Sequence, residues 1–402
     1  MEPQSTALFI LLMAVFCVLL AGVAFSRQPA FRVLAACLAF IPAMLFGVAA
    51  VNKYYGYYQT WGAAVSDLSG QGVSSVPLVP RGVSSQRLTA ILAKVTGGKT
   101  AARLGETVRF TVAGDRSHIV RTAYVYLPPQ YFQATYRSRR FPAIELINGY
   151  PGQPQDWINV AGIVASYQTL LRDHKVAPVA LVMPDPNGSR HVSLQCLNVA
   201  RGPQDATYLA QDVPGYLSRV LRLQPSGRAW GVVGYSEGGY CAANLALLYP
   251  GLYGNAGVLS GYFTPGWDRL GSPPRWMNPF RGDVRLRRMN TPPDRVTALS
   301  LAVRIPRFWL GAGSSDHPDV VAAQNFQRLL LTRQPNVVLD VEHGGGHTMA
   351  TWQALIPPLL EWMTPLIANA ALHPQPAQVV GHPESGPRAH VRSASDARTT
   401  AP

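Results

Sequence analysis

Two runs near the start of the chain constrain it more than any other feature. Residues 7–25 (ALFILLMAVFCVLLAGVAF) and 33–51 (VLAACLAFIPAMLFGVAAV) hold no charged side chain, and each is 19 residues long. About 20 apolar residues in a helix cross a bilayer core. Within lipid every backbone N–H and C=O must be satisfied inside the segment, which makes the helix the spanning form. A cleaved secretory leader competes for the first run, but leaders open with a basic region, and MEPQST contains no Lys or Arg. The second run follows almost at once, so residues 1–52 are predicted to form a transmembrane hairpin. Its connection carries Arg27 and Arg32, and the positive-inside rule puts such a loop in the cytoplasm. Lys53 on the other side leaves the margin narrow. The expectation is a multi-pass protein of the cell membrane with the rest of the chain extracytoplasmic and the lipid bilayer as a partner. Tyr54, Tyr55, Tyr57, Tyr58 and Trp61 follow the second span and read as an interfacial aromatic belt. The competing reading is that these rings pack on the following domain.

The charge balance excludes other classes. The chain is 402 residues long, 48% hydrophobic and 14% charged, so it is not wholly disordered. Its net charge is +14, and all but four of the 35 basic residues are Arg. They are scattered, without a basic stripe interleaved with aromatics, so a nucleic-acid partner is not expected. Of the four cysteines, Cys17 and Cys37 lie in the apolar runs and read as inert packing residues. No CxxC or Cys/His metal spacing is present, and neither metal nor cofactor is expected.

Residues 53–105 read as a juxtamembrane aromatic segment and a Gly/Ser/Val/Pro-rich linker with one short helix near Leu88–Val95. From residue 106 the pattern changes. Thr107–Val112 and Ile119–Leu127 read as a β-hairpin. Short apolar runs follow at Ala143–Ile147, Val179–Pro184, Trp230–Tyr235, Ala256–Ser260, Phe308–Gly311 and Val337–Val341. Helical stretches at 159–172, 207–222, 238–249, 321–332 and 351–371 lie between several of them. This alternation predicts an α/β domain over 106–372 with a mostly parallel sheet and helices on both faces. Residues 262–300, rich in Pro, Arg and aromatics, break the rhythm and read as a functional insert. The segment 373–402 has almost no large apolar residue and is expected to be disordered.

The chemistry is carried by Trp230–Tyr240, WGVVGYSEGGY, which contains G-x-S-x-G as Gly234–Gly238. An apolar strand precedes it and a helical run follows, the strand–turn–helix setting of a nucleophile elbow. A serine hydroxyl needs a base to act as a nucleophile, and partners in the order Ser, acid, His are present. FWLGAGSSD (308–316) is a strand ending in a small-residue loop with Asp316. VVLDVEHGGGH (337–347) is a strand, a glycine loop and His347. Asp319 competes as the acid. His343 competes as the base but lies before the glycines, and His317 reads as a surface residue. The three glycines between His343 and His347 rule out a helical metal pair. An oxyanion needs two N–H donors. Glu237 supplies one, as the residue after the nucleophile, and Tyr150, in the loop after the Ala143–Ile147 strand, supplies the other.

These pieces resemble the esterase D-like branch of the α/β-hydrolases, which includes the mycobacterial mycolyltransferases. The likeness is carried by AYVYLPPQY (123–131), INGYPGQPQDW (147–157), QCLNVARGPQDATYLAQDVPGYL (195–217), GYSEGGYCAANLALLYPGLY (234–253), LSGYF (259–263) and GGGHTMATW (344–352). It implies an α/β-hydrolase fold behind the two spans. It also implies Ser236 as nucleophile, His347 as base, an acid within Gly311–Asp319, and Tyr150 and Glu237 as oxyanion donors. The chain departs from the mycolyltransferase pattern in carrying Asn148 where an acidic residue tends to stand, and Asp316 where a glutamate serves. On this fold Cys241 lies on the elbow helix and Cys196 in the loop after the preceding strand. A Cys196–Cys241 disulfide is therefore expected, which calls for an oxidising compartment.

The function expected is a membrane-anchored serine esterase or acyltransferase acting through Ser236, His347 and Asp316 on an acyl ester, of lipid or glycolipid class. The alternatives are an inactive envelope scaffold and a serine peptidase on the same fold.

Overall fold

The structure, a computed structural model, describes residues 1–62, 64–65, 74–76, 98–189, 191–266 and 278–373. The helix expected near Leu88–Val95, part of the 262–300 insert and the segment from 374 lie outside these residues.

The two apolar runs form helices α1 (Thr6–Phe25) and α2 (Pro29–Tyr55), paired as a hairpin. Both are long and apolar enough to cross a membrane, with mean hydropathy of 3.0 and 2.4 over their most apolar windows. Ala35, Ala39, Pro42 and Ala49 are the buried residues of α2. Small side chains at this spacing let two backbones approach closely, as in membrane helix pairs. Cys17 and Cys37, read above as packing residues, are exposed on the outside of the hairpin. α2 outruns the expected span by four residues and ends where Gly56 turns left-handed (φ 65°). Tyr54, Tyr55 and Trp61 are exposed. Tyr57 and Tyr58 instead pack against the core of the following domain, so the aromatic cluster divides between the two readings.

That domain holds a nine-stranded sheet: β1 (Ser74–Val76), β2 (Glu106–Ala113), β3 (Val120–Leu127), β4 (Ala143–Ile147), β5 (Ala180–Pro184), β6 (Gly227–Tyr235), β7 (Tyr253–Leu259), β8 (Arg307–Gly313) and β9 (Val337–Glu342). The spatial order is β1-β2-β3-β5-β4-β6-β7-β8-β9. β3 pairs antiparallel with β2 and β5; the pairs from β5 through β4 to β9 are parallel. β4 and β5 are buried at every position, which is why they read as unbroken apolar runs rather than alternating ones. β1 and the short helix Gly98–Leu104 lie within the stretch read as linker.

Helices α3 (Ile163–Arg172), α4 (Val213–Val220), α5 (Glu237–Leu248), α6 (His317–Leu331) and α7 (Met349–Leu372) accompany the parallel strands. Two core clusters form, with α5 in one and α3 and α7 in the other. α7 has the length and composition of a span, with mean hydropathy 1.2, but its apolar stripe is used internally. Trp352, Leu355, Ile356, Leu359, Leu360 and Met363 are buried. Within the insert, helix Pro292–Ala298 packs on α5 and helix Val284–Met289 packs on Pro292–Ala298, and Tyr240 of α5 donates to Asn290 O between the two at 2.8 Å. The sheet matters functionally because β4 lies between β5 and β6. Chain direction across the sheet reverses there, and the crevice beyond the carboxyl ends at such a point is where open α/β sheets bind ligands.

Candidate active site

Ser236 stands between the end of β6 and the start of α5, at φ 55°, ψ −121°. A non-glycine residue at such angles is strained and persists only where its surroundings over-determine it. Here Ser236 N donates to Leu259 O at 2.8 Å, and Gly239 N donates back to Ser236 O at 2.9 Å. The flanking glycines are sterically required. A Cβ on Gly234 would lie 1.9 Å from Gly238 O, and one on Gly238 would lie 2.0 Å from Ile147 O.

His347 reaches this serine from the glycine loop after β9. Its Nε2 is 2.9 Å from Ser236 Oγ. Its Nδ1 is 2.9 Å from Asp316 Oδ2 and 2.9 Å from Asp319 Oδ2. The structure thus brings Ser236, His347 and Asp316 together and adds Asp319, which the sequence offered only as a rival to Asp316. Asp316 directly precedes α6 and its side chain makes no helix cap, while Asp319 lies in the first turn. A helix N-terminus favours negative charge there. Burial raises the pKa of Asp316, reinforced by repulsion from Asp319 and partly offset by His347. Burial pulls that of His347 down, but the two carboxylates, Asp319 foremost, outweigh it, and the net shift is upward. The His347 side chain remains 40% exposed, so a substrate can reach it. Asp316, Asp319 and His347 also present three potential ligand atoms within 4.8 Å of one another. Distances of 2.9 Å are those of N–H···O hydrogen bonds, and a cation bound there would require Nδ1 without its proton.

The loop after β4 lies against the nucleophile. A Cβ on Gly149, the residue before Tyr150, would be 3.1 Å from Ser236 Cβ. Glu237 opens α5, and the first N–H groups of a helix have no intrahelical acceptor. The Glu237 side chain is buried and held by the loop after β5: Ser193 Oγ donates to Oε2, and Asn187 Nδ2 donates to Oε1 at 3.4 Å. Neither Ser193 nor Asn187 has a sequence signal that would have linked it to residue 237. Cys196, in the same loop, is disulfide-bonded to Cys241 on α5. His347 stacks edge-on against Trp352 (5.2 Å), which stacks on Tyr235 (4.6 Å), so aromatic rings back the site.

A serine on a strained strand-to-helix turn, met by an imidazole and carboxylates from later loops, at the carboxyl edge of a mostly parallel sheet, defines the α/β-hydrolase class. The family model described as "Putative esterase" matches residues 119–363. The chain belongs to this esterase family. An uncharacterized protein of Corynebacterium glutamicum is 26% identical over 248 residues, which are 60% of this chain and 57% of that one. The MPT51 antigen of Mycobacterium leprae is 42% identical over 59 residues, 15% of this chain and 19% of that protein. The chain therefore spans less than two thirds of the length of either relative. A ferulic acid esterase structure has the same fold, with a TM-score of 0.56 at 16% identity, covering 65% of this chain and 98% of that one.

Proposed function

We propose that the protein is a membrane-anchored, extracytoplasmic serine esterase or acyltransferase working through Ser236, His347 and the Asp316/Asp319 pair. One observation carries the reading: an unbroken chain of 2.9 Å contacts from Ser236 Oγ through His347 to the carboxylates, on a strained elbow. Ser236 Oγ attacks an acyl carbonyl and His347 Nε2 takes its proton. The carboxylates hold the imidazole tautomer and stabilise the imidazolium. The oxyanion is received by the N–H groups of Tyr150 and Glu237. Collapse breaks the ester C–O bond, and the departing alkoxide takes the proton back from His347. Water then cleaves the acyl-enzyme and releases an acid; an alcohol in its place gives transfer. α1 and α2 anchor the domain, the loop with Arg27 and Arg32 faces the cytoplasm, and the substrate is an acyl ester of lipid or glycolipid class at the bilayer. The Cys196–Cys241 disulfide supports an oxidising compartment.

The test is fluorophosphonate labelling of the purified full chain with the adduct mapped by mass spectrometry. An adduct on Ser236, absent from Ser236→Ala and suppressed in His347→Ala, is expected. A folded protein that takes no label would point to a scaffold instead.

The charge around His347 gives a second expectation. A base must be neutral to accept a proton. A raised His347 pKa therefore moves the acid limb of kcat/KM to higher pH than an ordinary histidine would give. Asp319→Asn removes the stronger of the two carboxylate effects and should move that limb to lower pH. A limb unmoved by Asp319→Asn would show that Asp319 does not act on the base.

A further inference from the structure

The membrane hairpin does not end at a free tether. Where α2 stops, Gly56 lies against the first turn of α7: a Cβ there would be 3.7 Å from the backbone N of Met349 and of Ala350, two and three residues after His347. The next residue, Tyr57, donates its hydroxyl to Asp156 Oδ2 at 2.6 Å. Asp156 is 2% exposed, and the same oxygen accepts the Gln153 N–H at 2.7 Å. Gly152 N in turn donates to Gly149 O at 2.9 Å. Asp156 thus ties the stem to the turn that carries Tyr150. Tyr58 is bound back to α2, accepting from Asn52 Nδ2 at 2.9 Å and donating its N–H to Asn52 Oδ1 at 2.7 Å. Gln59 donates to Gln353 Oε1 at 2.7 Å, one residue after Trp352. Residues 56–59 therefore touch the segments that hold His347 and Tyr150, and Tyr57 packs with the cluster containing Tyr235, which precedes Ser236.

We infer that Tyr57 and Asp156 are positioning residues for the oxyanion loop, so that the membrane stem is a structural wall of the active site. The inference rests on the Ser236 reading above. Burial, with Tyr235 and Asp156 nearby, pushes the Tyr57 phenol well above its usual range, so it stays a donor at every working pH. Asp156 needs that donor: a buried carboxylate that loses a hydrogen bond keeps its desolvation cost. Without it the 149–156 turn loses its tie to the stem, and the Tyr150 N–H no longer meets the oxyanion squarely. Such a donor acts in the transition state, so its misplacement lowers kcat and leaves KM largely unchanged.

The experiment uses the full chain in detergent, as wild type, Tyr57→Phe, Asp156→Asn and the double variant, with a water-soluble p-nitrophenyl ester and a fluorophosphonate. Tyr57→Phe keeps the packed ring and removes only the hydroxyl. Each single variant should lower kcat and labelling rate by about 10- to 100-fold, with KM and the acid limb of the pH profile unchanged. The double variant should cost no more than Asp156→Asn alone, since Tyr57 acts through Asp156. If Tyr57→Phe fails to fold by thermal melt, Asp156→Asn gives the same kcat-against-KM split. Variants within twofold of wild type in kcat, a change confined to KM, or strictly multiplicative losses in the double variant would overturn the positioning role. A wild type that takes no label at Ser236 would overturn the serine reading and this one with it; a labelled wild type with equally fast variants removes only this one.

Discussion

Asparagine at both 316 and 319 is expected to lower kcat by about 10⁴-fold, the scale on which a serine–histidine pair suffers when its imidazole loses the correct tautomer. Either substitution alone should cost about 10-fold or less, because the remaining carboxylate still stands 2.9 Å from Nδ1 and can hold the N–H toward itself. Effects within such a unit are not additive, and the shortfall of the singles against the double measures the redundancy. Thermal stability should not fall with activity. Asp316 bears a burial cost and repulsion from Asp319, and neutral amides of the same shape relieve both. Steady-state kinetics and melts on the three variants decide the matter. A single variant that alone loses the full factor would identify its aspartate as the sole acid and reduce the other to a bystander.

The two carboxylates also mark where reading the sequence stops. The juxtaposition of Ser236 with His347 is legible because the elbow pentapeptide sits between an apolar strand and a helical run, and because a triple-glycine loop precedes the histidine. Parallel-sheet topology then carries the carboxyl ends of β4 to β9 to one edge. The choice between Asp316 and Asp319 is not legible, since it turns on how α6 starts. Asp316 just precedes the helix and Asp319 lies in its first turn, and only the fold shows that both point at one nitrogen. Most core strands read cleanly because buried parallel strands are continuous apolar runs. β1 does not: three residues within a Gly/Ser-rich stretch carry no period, and they form a strand only because β2 offers a partner. Tyr57 is the instructive case. An aromatic residue just beyond an apolar span is ordinarily an interfacial anchor, and nothing local ties it to Asp156, 99 positions on.

Removing the disulfide should be the largest single loss of stability in the catalytic domain. Cys196 and Cys241 are 45 residues apart, and closing a loop of that size restricts the unfolded chain by an amount worth about 4 kcal/mol. For a domain of this size that corresponds to a fall in Tm of roughly 8–16 °C in Cys196→Ala/Cys241→Ala. Both positions are buried, so the double variant also loses packing around the sulfurs. Activity should suffer beyond the loss of folded protein. The loop that Cys196 anchors also carries Ser193 and Asn187, which hold the Glu237 side chain beside the proposed oxyanion donor. An unchanged Tm would mean that the bridge constrains little. The same pair reports on topology, because a structural disulfide persists only in an oxidising compartment. In whole cells opened directly into denaturant with an alkylating reagent, so that the buried positions become accessible, Cys196 and Cys241 should be labelled only after reduction. Labelling without reductant would put the domain on the reducing side of the membrane, and the assignment of the Arg27–Arg32 loop to the cytoplasm would fall with it.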